Sequence, residues 1–338
     1  MHYMRDLAVP LSTRHRWAHG GLPVGLSAND ISCSCAIGAP STSFMASAAV
    51  TECGERRPGL ANCFCQDRHV GTVPTMSDVP NVEYGDRAVA LPNEILRSVV
   101  GSGVHGIAIE GTDDHDEMGV YIEPPEWVLG VERHREDYIW RTQPEGVRSG
   151  HGDIDLVLYS LRKYLRLAIK GNPTVLLPLF ASQESLVVVT PLGKELRELR
   201  AAFLSRRAVE RFLGYMRSQH ERMLGQSRRN VPNRPELIVK CGWDVKYGSH
   251  ALRLAHQGFE IASTGSLTLP MPDRERARVL AVKRGDVART EVSAEISRLE
   301  TAVRALLDED RSPLPRTADL DRVSAWAIDA QRRHWQWT

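Results

Sequence analysis

Residues 99–122, VVGSGVHGIAIEGTDDHDEMGVYI, hold the residue types that a phosphate-handling site requires. Val99 and Val100 suit a short buried strand. Gly101 and Ser102 interrupt it, and Gly103 and Gly106 keep the next residues bare. Backbone N–H groups and the Ser102 hydroxyl can therefore approach a phosphate. Asp113, Asp114, His115 and Asp116 then lead toward a second apolar run, Gly119-Val120-Tyr121-Ile122. If residues 114–122 are extended, the two-residue alternation sends Asp114 and Asp116 to one face. Two carboxylates about 4 Å apart repel by roughly 4 kcal/mol at an effective dielectric near 20. A retained proton or a hard divalent cation relieves that repulsion, and magnesium would also draw a polyphosphate toward the glycine-serine turn. A bare D-x-D is more often a solvated acidic turn. The order of glycine-serine turn, spacer, paired Asp and apolar strand sets this one apart.

That order resembles the polymerase-β-type nucleotidyltransferase superfamily, whose signature is G-S, a variable spacer, then [ST]-D-x-D entering a strand. More narrowly, GSGVHG…DDHDEMGVYIEPPE is similar to the predicted nucleotidyltransferases related to the RNA-repair-associated polymerase-β family. The resemblance makes Gly101 and Ser102 the phosphate turn, His105-Gly106 the family's H-G, and Asp114 and Asp116 the metal-binding pair. Gly119-Val120 and Pro124 follow in register. Asp113 stands where the family has Ser, adding a charge without removing a ligand.

Two later segments extend the site. Residues 151–159 alternate as a strand, and Ser160 is placed to cap a following helix in which Leu161, Tyr164, Leu165 and Ala168 share a face. Gly171 and Pro173 end that helix. Asp153 and Asp155 lie on the same strand face, and the residue pattern alone leaves both open as a third carboxylate. The resembling families carry D-h-x-h-[YW]-x-L-R-K and then K-x-N-P here, matched by Asp155, Tyr159, Leu161-Arg162-Lys163 and Lys170-Gly171-Asn172-Pro173, which implies Asp155. By the same resemblance Asp114 and Asp116 would bridge two Mg²⁺ (or Mn²⁺) ions, while Asp155 would touch one and help deprotonate the acceptor hydroxyl. Arg162 and Lys163 follow the strand directly, so Lys163 is a candidate phosphate contact beside the simpler expectation of a solvated charge.

The second segment is GWDVKYGSHALRL at 242–254. On a helix, Val245, Leu252, Ala255 and Phe259 form an apolar stripe, while Lys246, His250 and Arg253 gather on another side, four and three residues apart. Such a triplet repels itself unless an anion or an acid lies against it. The families carry G-[YF]-D-x-K-x-x-x-H-x-x-R-L, matched by Gly242, Asp244, Lys246, His250 and Arg253-Leu254, with Trp243 as aromatic for aromatic. The resemblance implies that Lys246, His250 and Arg253 bind nucleotide phosphates or the acceptor.

The elements that must hold these residues are less sharply marked. At 338 residues the chain can bury a sizeable core in about two domains. A net charge of +1, from 43 basic against 42 acidic residues, excludes a global field for nucleic acid, so binding would need a local patch such as Arg228, Arg229 and Arg234. No apolar run is long enough to cross a membrane, and the composition suits a soluble, cytoplasmic protein. Residues 1–75 contain no lysine but hold Cys33, Cys35, Cys53, Cys63 and Cys65, in C-x-C pairs rather than zinc-type C-x₂-C knuckles. They read as a disordered extension or, in a sharper version, as a spurious one with Met76 the true start.

Residues 93–100, NEILRSVV, read as a short helix leading into the first strand, and residues 131–147 as an edge strand and loop around 137–140. Leu199, Phe203, Val209, Phe212, Leu213 and Met216 recur at helical core spacing. Further helices are expected at 273–282, 289–307 and 319–335, with Arg304, Arg332 and Arg333 as solvated charges. The expectation is an α/β (α+β) chain. A polymerase-β-like nucleotidyltransferase domain with a mixed sheet covers 76–180, and a mostly helical C-terminal domain over 181–338 completes the cleft. By resemblance it moves a nucleoside monophosphate from an NTP to a hydroxyl of an RNA end, a protein or a small molecule, releasing pyrophosphate. The rival is a non-catalytic nucleotide- or RNA-binding protein on the same scaffold.

Overall fold

The computed structural model describes residues 82–111, 114–147, 149–226 and 235–337. The N-terminal extension with its five cysteines, Asp113, and Arg228, Arg229 and Arg234 lie outside them. The first half runs β1 (Val82–Tyr84), α1 (Arg87–Ala90), β2 (Glu94–Val99), α2 (Gly101–Val104), β3 (His115–Tyr121), α3 (Pro125–Leu129), β4 (Asp137–Arg141), β5 (Ile154–Ser160) and α4 (Leu161–Ile169). Next come α5 (Leu177–Phe180), β6 (Leu186–Val189), α6 (Pro191–Glu198), α7 (Arg200–Phe203) and α8 (Arg206–Met223). The chain ends with α9 (Pro235–Cys241), α10 (Val245–Thr264), α11 (Asp273–Arg284), α12 (Arg289–Asp308) and α13 (Leu320–His334).

The strands form one mixed sheet in the order β1-β4-β5-β3-β2-β6. β3 and β5 pair in parallel, and the other neighbours are antiparallel. Alternation decides its faces. Tyr121, Tyr138, Trp140, Leu156 and Leu158 pack toward Ala90 of α1. Met118 and Val120 point the other way, into the core shared with the helices.

Two expectations are corrected. NEILRSVV is strand β2 rather than a helix, because it is hydrogen-bonded on both sides, to β3 and β6. Ile95 and Leu96 are buried there, so sheet pairing outweighs any local helical preference. Segment 137–140 is internal, since β1 pairs with β4 and takes the edge. The helix after β5 is as expected: the Ser160 hydroxyl accepts from Lys163 N, and Leu161, Tyr164, Leu165 and Ala168 are buried. The core positions from Leu199 to Met216 are buried as well.

The C-terminal helices are organised by α10, which packs against α8, α11 and α12. Asp244 caps it, accepting from Lys246 N and Tyr247 N at 3.1 and 3.2 Å, a contact worth about 1 kcal/mol. α13 returns toward the sheet. Trp335 Nε1 donates to the Glu123 carbonyl at 2.8 Å, and Arg333 grips both carboxylate oxygens of Glu195 instead of standing solvated. Arg304 likewise pairs with Glu210. Buried residues from the sheet and from these helices form one continuous core. Among the described residues, no helix is long and apolar enough to cross a membrane.

Candidate active site

Parallel pairing sets Asp116 of β3 directly opposite Asp155 of β5. Asp114 stands two residues before Asp116, and one oxygen from each of the three carboxylates lies within 4.8 Å of the others. Burial, with Asp114 and Asp155 adding repulsion, pushes the Asp116 carboxyl up from 3.8 to about 6, against the pull of Lys246 and His115. The turn after β2 leans on this carboxylate. Val100 N donates to the Asp116 carbonyl at 2.8 Å. Gly101 adopts φ +62°, and a Cβ there would run into Asp116 Oδ2. A residue with no side chain is therefore required at Gly101.

Asp155 is held from behind. Gln143 Nε2 donates to Oδ1 at 2.9 Å, Ser149 Oγ donates to Oδ2 at 2.8 Å, and Arg141 Nε lies 2.9 Å from Oδ1. Asp153 has a different task. It accepts from Thr142 Oγ1 and from Gly150 N at 3.0 and 2.8 Å, closing the connection between β4 and β5. The alternative that the alternation left open thus resolves by geometry, with Asp155 beside the pair and Asp153 in the turn.

Asp114 and Asp116 line a cavity of about 650 Å³ together with Gly101, Ser102 and His105. Lys246, His250 and Arg253 of α10 line it too. The expected cationic triplet and the expected phosphate turn therefore share one hollow. Lys163 does not reach it. Its ammonium pairs with Asp137 Oδ2 at 2.9 Å and sits 5.0 Å above the Tyr159 ring. A salt bridge to the first residue of β4 accounts for that lysine.

His105 is 2% exposed, and its Nδ1 faces Gln257 Nε2 at 3.2 Å. Burial first, then the charges of Arg253 and His250, hold its imidazole well below the usual histidine range, so the ring is neutral. Burial also pulls the Arg253 guanidinium down to about 10.

Several participants escaped the sequence. Lys240, Lys283 and Arg284 add positive charge to the cavity, and Tyr215 adds an aromatic ring. Gln143 and Ser149 are neutral residues in a loop, and nothing in their spacing marks them. Gln257 was within reach, because it falls four residues after Arg253 on the same helical face.

The family model described as the RNA repair pathway DNA polymerase beta family matches residues 87–329, a span that includes every residue of this site. No curated protein matches the chain. Among solved structures, a nucleotidyltransferase-like protein from Exiguobacterium sibiricum 255-15 is similar at 11% identity, over 72% of this chain and 73% of that one, with a TM-score of 0.24. That superposition is too loose to bear on the site.

Proposed function

Because the chain belongs to the RNA repair pathway DNA polymerase beta family, we propose that it transfers a nucleoside monophosphate from an NTP to a hydroxyl acceptor, with pyrophosphate leaving, in a divalent-metal-dependent reaction. The observation that carries this reading is the meeting of Asp114, Asp116 and Asp155 beside a glycine-serine turn and opposite a cationic helix face.

The donor set fits a hard cation. It is all oxygen, burial and then the repulsion of Asp114 and Asp155 raise the Asp116 carboxyl, and Gly101 leaves the space at Asp116 Oδ2 clear. Mg²⁺ or Mn²⁺ held by Asp114, Asp116 and Asp155 would neutralise phosphate charge and acidify the acceptor hydroxyl.

The chain's own residues supply the rest. Gly101 and Ser102 offer bare backbone and a hydroxyl to the polyphosphate. Lys246, His250 and Arg253 line the same cavity and balance its charge. His105 contributes a neutral ring among those cations. Arg141, Gln143 and Ser149 fix Asp155, so its carboxylate needs little reorganisation when the acceptor arrives. Lys163 is left out, because its salt bridge to Asp137 holds it elsewhere. The family's association with RNA repair favours an RNA end as acceptor over a protein or small-molecule hydroxyl.

Each labelled NTP is incubated with Mg²⁺ or Mn²⁺ and a pool of RNA, protein and small-molecule acceptors. Label moving to an acceptor with the wild type, and not with Asp114→Asn or Asp116→Asn, supports the enzyme. Nucleotide binding with no transfer overturns it in favour of a non-catalytic binder.

A further inference from the structure

Gln257 belongs to none of the motifs in the sequence, is 1% exposed, and is gripped at both ends of its amide. Arg253 Nη1 donates to Gln257 Oε1 at 2.8 Å. A guanidinium has only donors, so the amide oxygen must face Arg253 and the NH₂ must face away. That NH₂ stands 3.2 Å from His105 Nδ1. An amide NH₂ also has only donors, so Nδ1 must be the bare, accepting nitrogen, and the neutral ring must carry its proton on Nε2. Nε2 is buried and has no hydrogen-bond partner among the described residues. His105, His250 and Arg253 all line the cavity.

On the reading that this cavity takes a nucleoside triphosphate, we propose that Gln257 is a positioning residue that locks His105 in its Nε2–H tautomer, so that a neutral N–H set among cations donates to a phosphate oxygen. A buried donor without an acceptor is costly, and a phosphate oxygen removes that cost on binding. The same amide anchors the Arg253 guanidinium, so one uncharged residue presets two donors. The main chain of His105 is tied down as well, because Met271 N donates to its carbonyl at 3.2 Å.

The test starts with the ligand-free full chain, labelled with ¹⁵N-histidine and read by long-range ¹H–¹⁵N correlation. His105 should show a protonated Nε2 and a bare Nδ1. Gln257→Glu puts acceptor oxygens at both ends, so the Nδ1 resonance should move to the protonated range. Gln257→Met keeps the volume and removes the amide, and binding of inorganic tripolyphosphate should weaken about tenfold, the loss of one hydrogen bond. His105→Leu should lose as much, whereas His105→Gln, which carries an N–H to the same reach, should restore most of it. A proton on Nδ1 in the wild type overturns the inference. So does tripolyphosphate affinity unchanged in both Gln257→Met and His105→Leu. If a variant fails to fold, the wild-type spectrum still decides. A chain that shows the Nε2–H tautomer yet transfers no nucleotide overturns the proposed function alone. A chain that transfers nucleotide with its proton on Nδ1 overturns the present inference alone.

Discussion

Asp116 and Asp155 face each other across the parallel pairing of β3 and β5, two residues from separate segments brought to one side of the sheet by a single register. A slip by one residue would turn Asp155 to the far face and bring Leu156 or Ile154 in its place. The parallel pair is thus the element on which the site depends. Asp116→Asn should lower nucleotide transfer by more than about 100-fold, since even outer partners of a metal ligand cost about 10–100-fold. Asp153→Asn, in the turn, should change transfer by less than threefold or so while loosening the β4–β5 connection. Single-turnover assays on both folded variants decide it, and equal losses would mean that the register does not choose the carboxylate.

Burial of Asp116, with Asp114 and Asp155 close by, makes stability depend on pH. Its folded-state value, raised from 3.8 to about 6, lies above the unfolded one. Its proton therefore favours the fold, fully below the lower value, and that contribution is lost as pH rises through about 6. The rise corresponds to roughly 3 kcal/mol once the group is ionised. Metal-free Asp116→Asn should accordingly be more stable than the wild type at neutral pH by up to about 3 kcal/mol, with the gap closing toward pH 4. Urea unfolding across pH measures it. Added Mg²⁺ should stabilise the wild type at neutral pH and leave the variant nearly unmoved.

Gly101→Ala tests the turn. The new Cβ meets Asp116 Oδ2 at a backbone angle that only glycine adopts cheaply. The strain should cost about 1–2 kcal/mol. Relief by pushing the carboxylate aside should cost far more in function than in fold. Midpoint temperature and Mg²⁺ affinity, read on one preparation, separate the two. A variant that binds the metal as the wild type does would show that the turn does not shape the site.

The helical half was legible because amphipathic spacing is local. Leu199 to Met216 and Val245 to Ala255 follow from a 3.6-residue period. The acidic triad was legible only through its motif, since no local rule pairs Asp116 with Asp155 rather than Asp153. NEILRSVV was misread because Asn93, Glu94 and Arg97 blur its alternation, and only its two partner strands fix it as β2. Lys163 was misplaced for a related reason. Its position next to Asp155 in sequence says nothing of Asp137, which β4 brings alongside. Lys163→Met should therefore leave the KM for NTP unchanged and cost under about 1 kcal/mol of stability, as a partly exposed ion pair does. A rise in KM of tenfold or more would return that lysine to the site.

Ser149 and Gln143 make the last prediction. Both donate to Asp155, at 2.8 and 2.9 Å, and Gln143 Nε2 also reaches Ser149 Oγ at 2.7 Å, so the three act as one unit. Neither touches the cavity wall. Ser149→Ala removes the donor to Oδ2 and leaves Gln143 and Arg141 on Oδ1, so the carboxylate is free to turn. Metal affinity and the transfer rate should fall about 10- to 100-fold, the usual effect of an outer partner, with NTP affinity little altered. Ser149→Ala combined with Gln143→Leu should cost less than the product of the single effects, because the two donors hold the same group. A double-mutant cycle on Mg²⁺ affinity measures that coupling, and strict additivity would show that Asp155 is positioned by its strand alone.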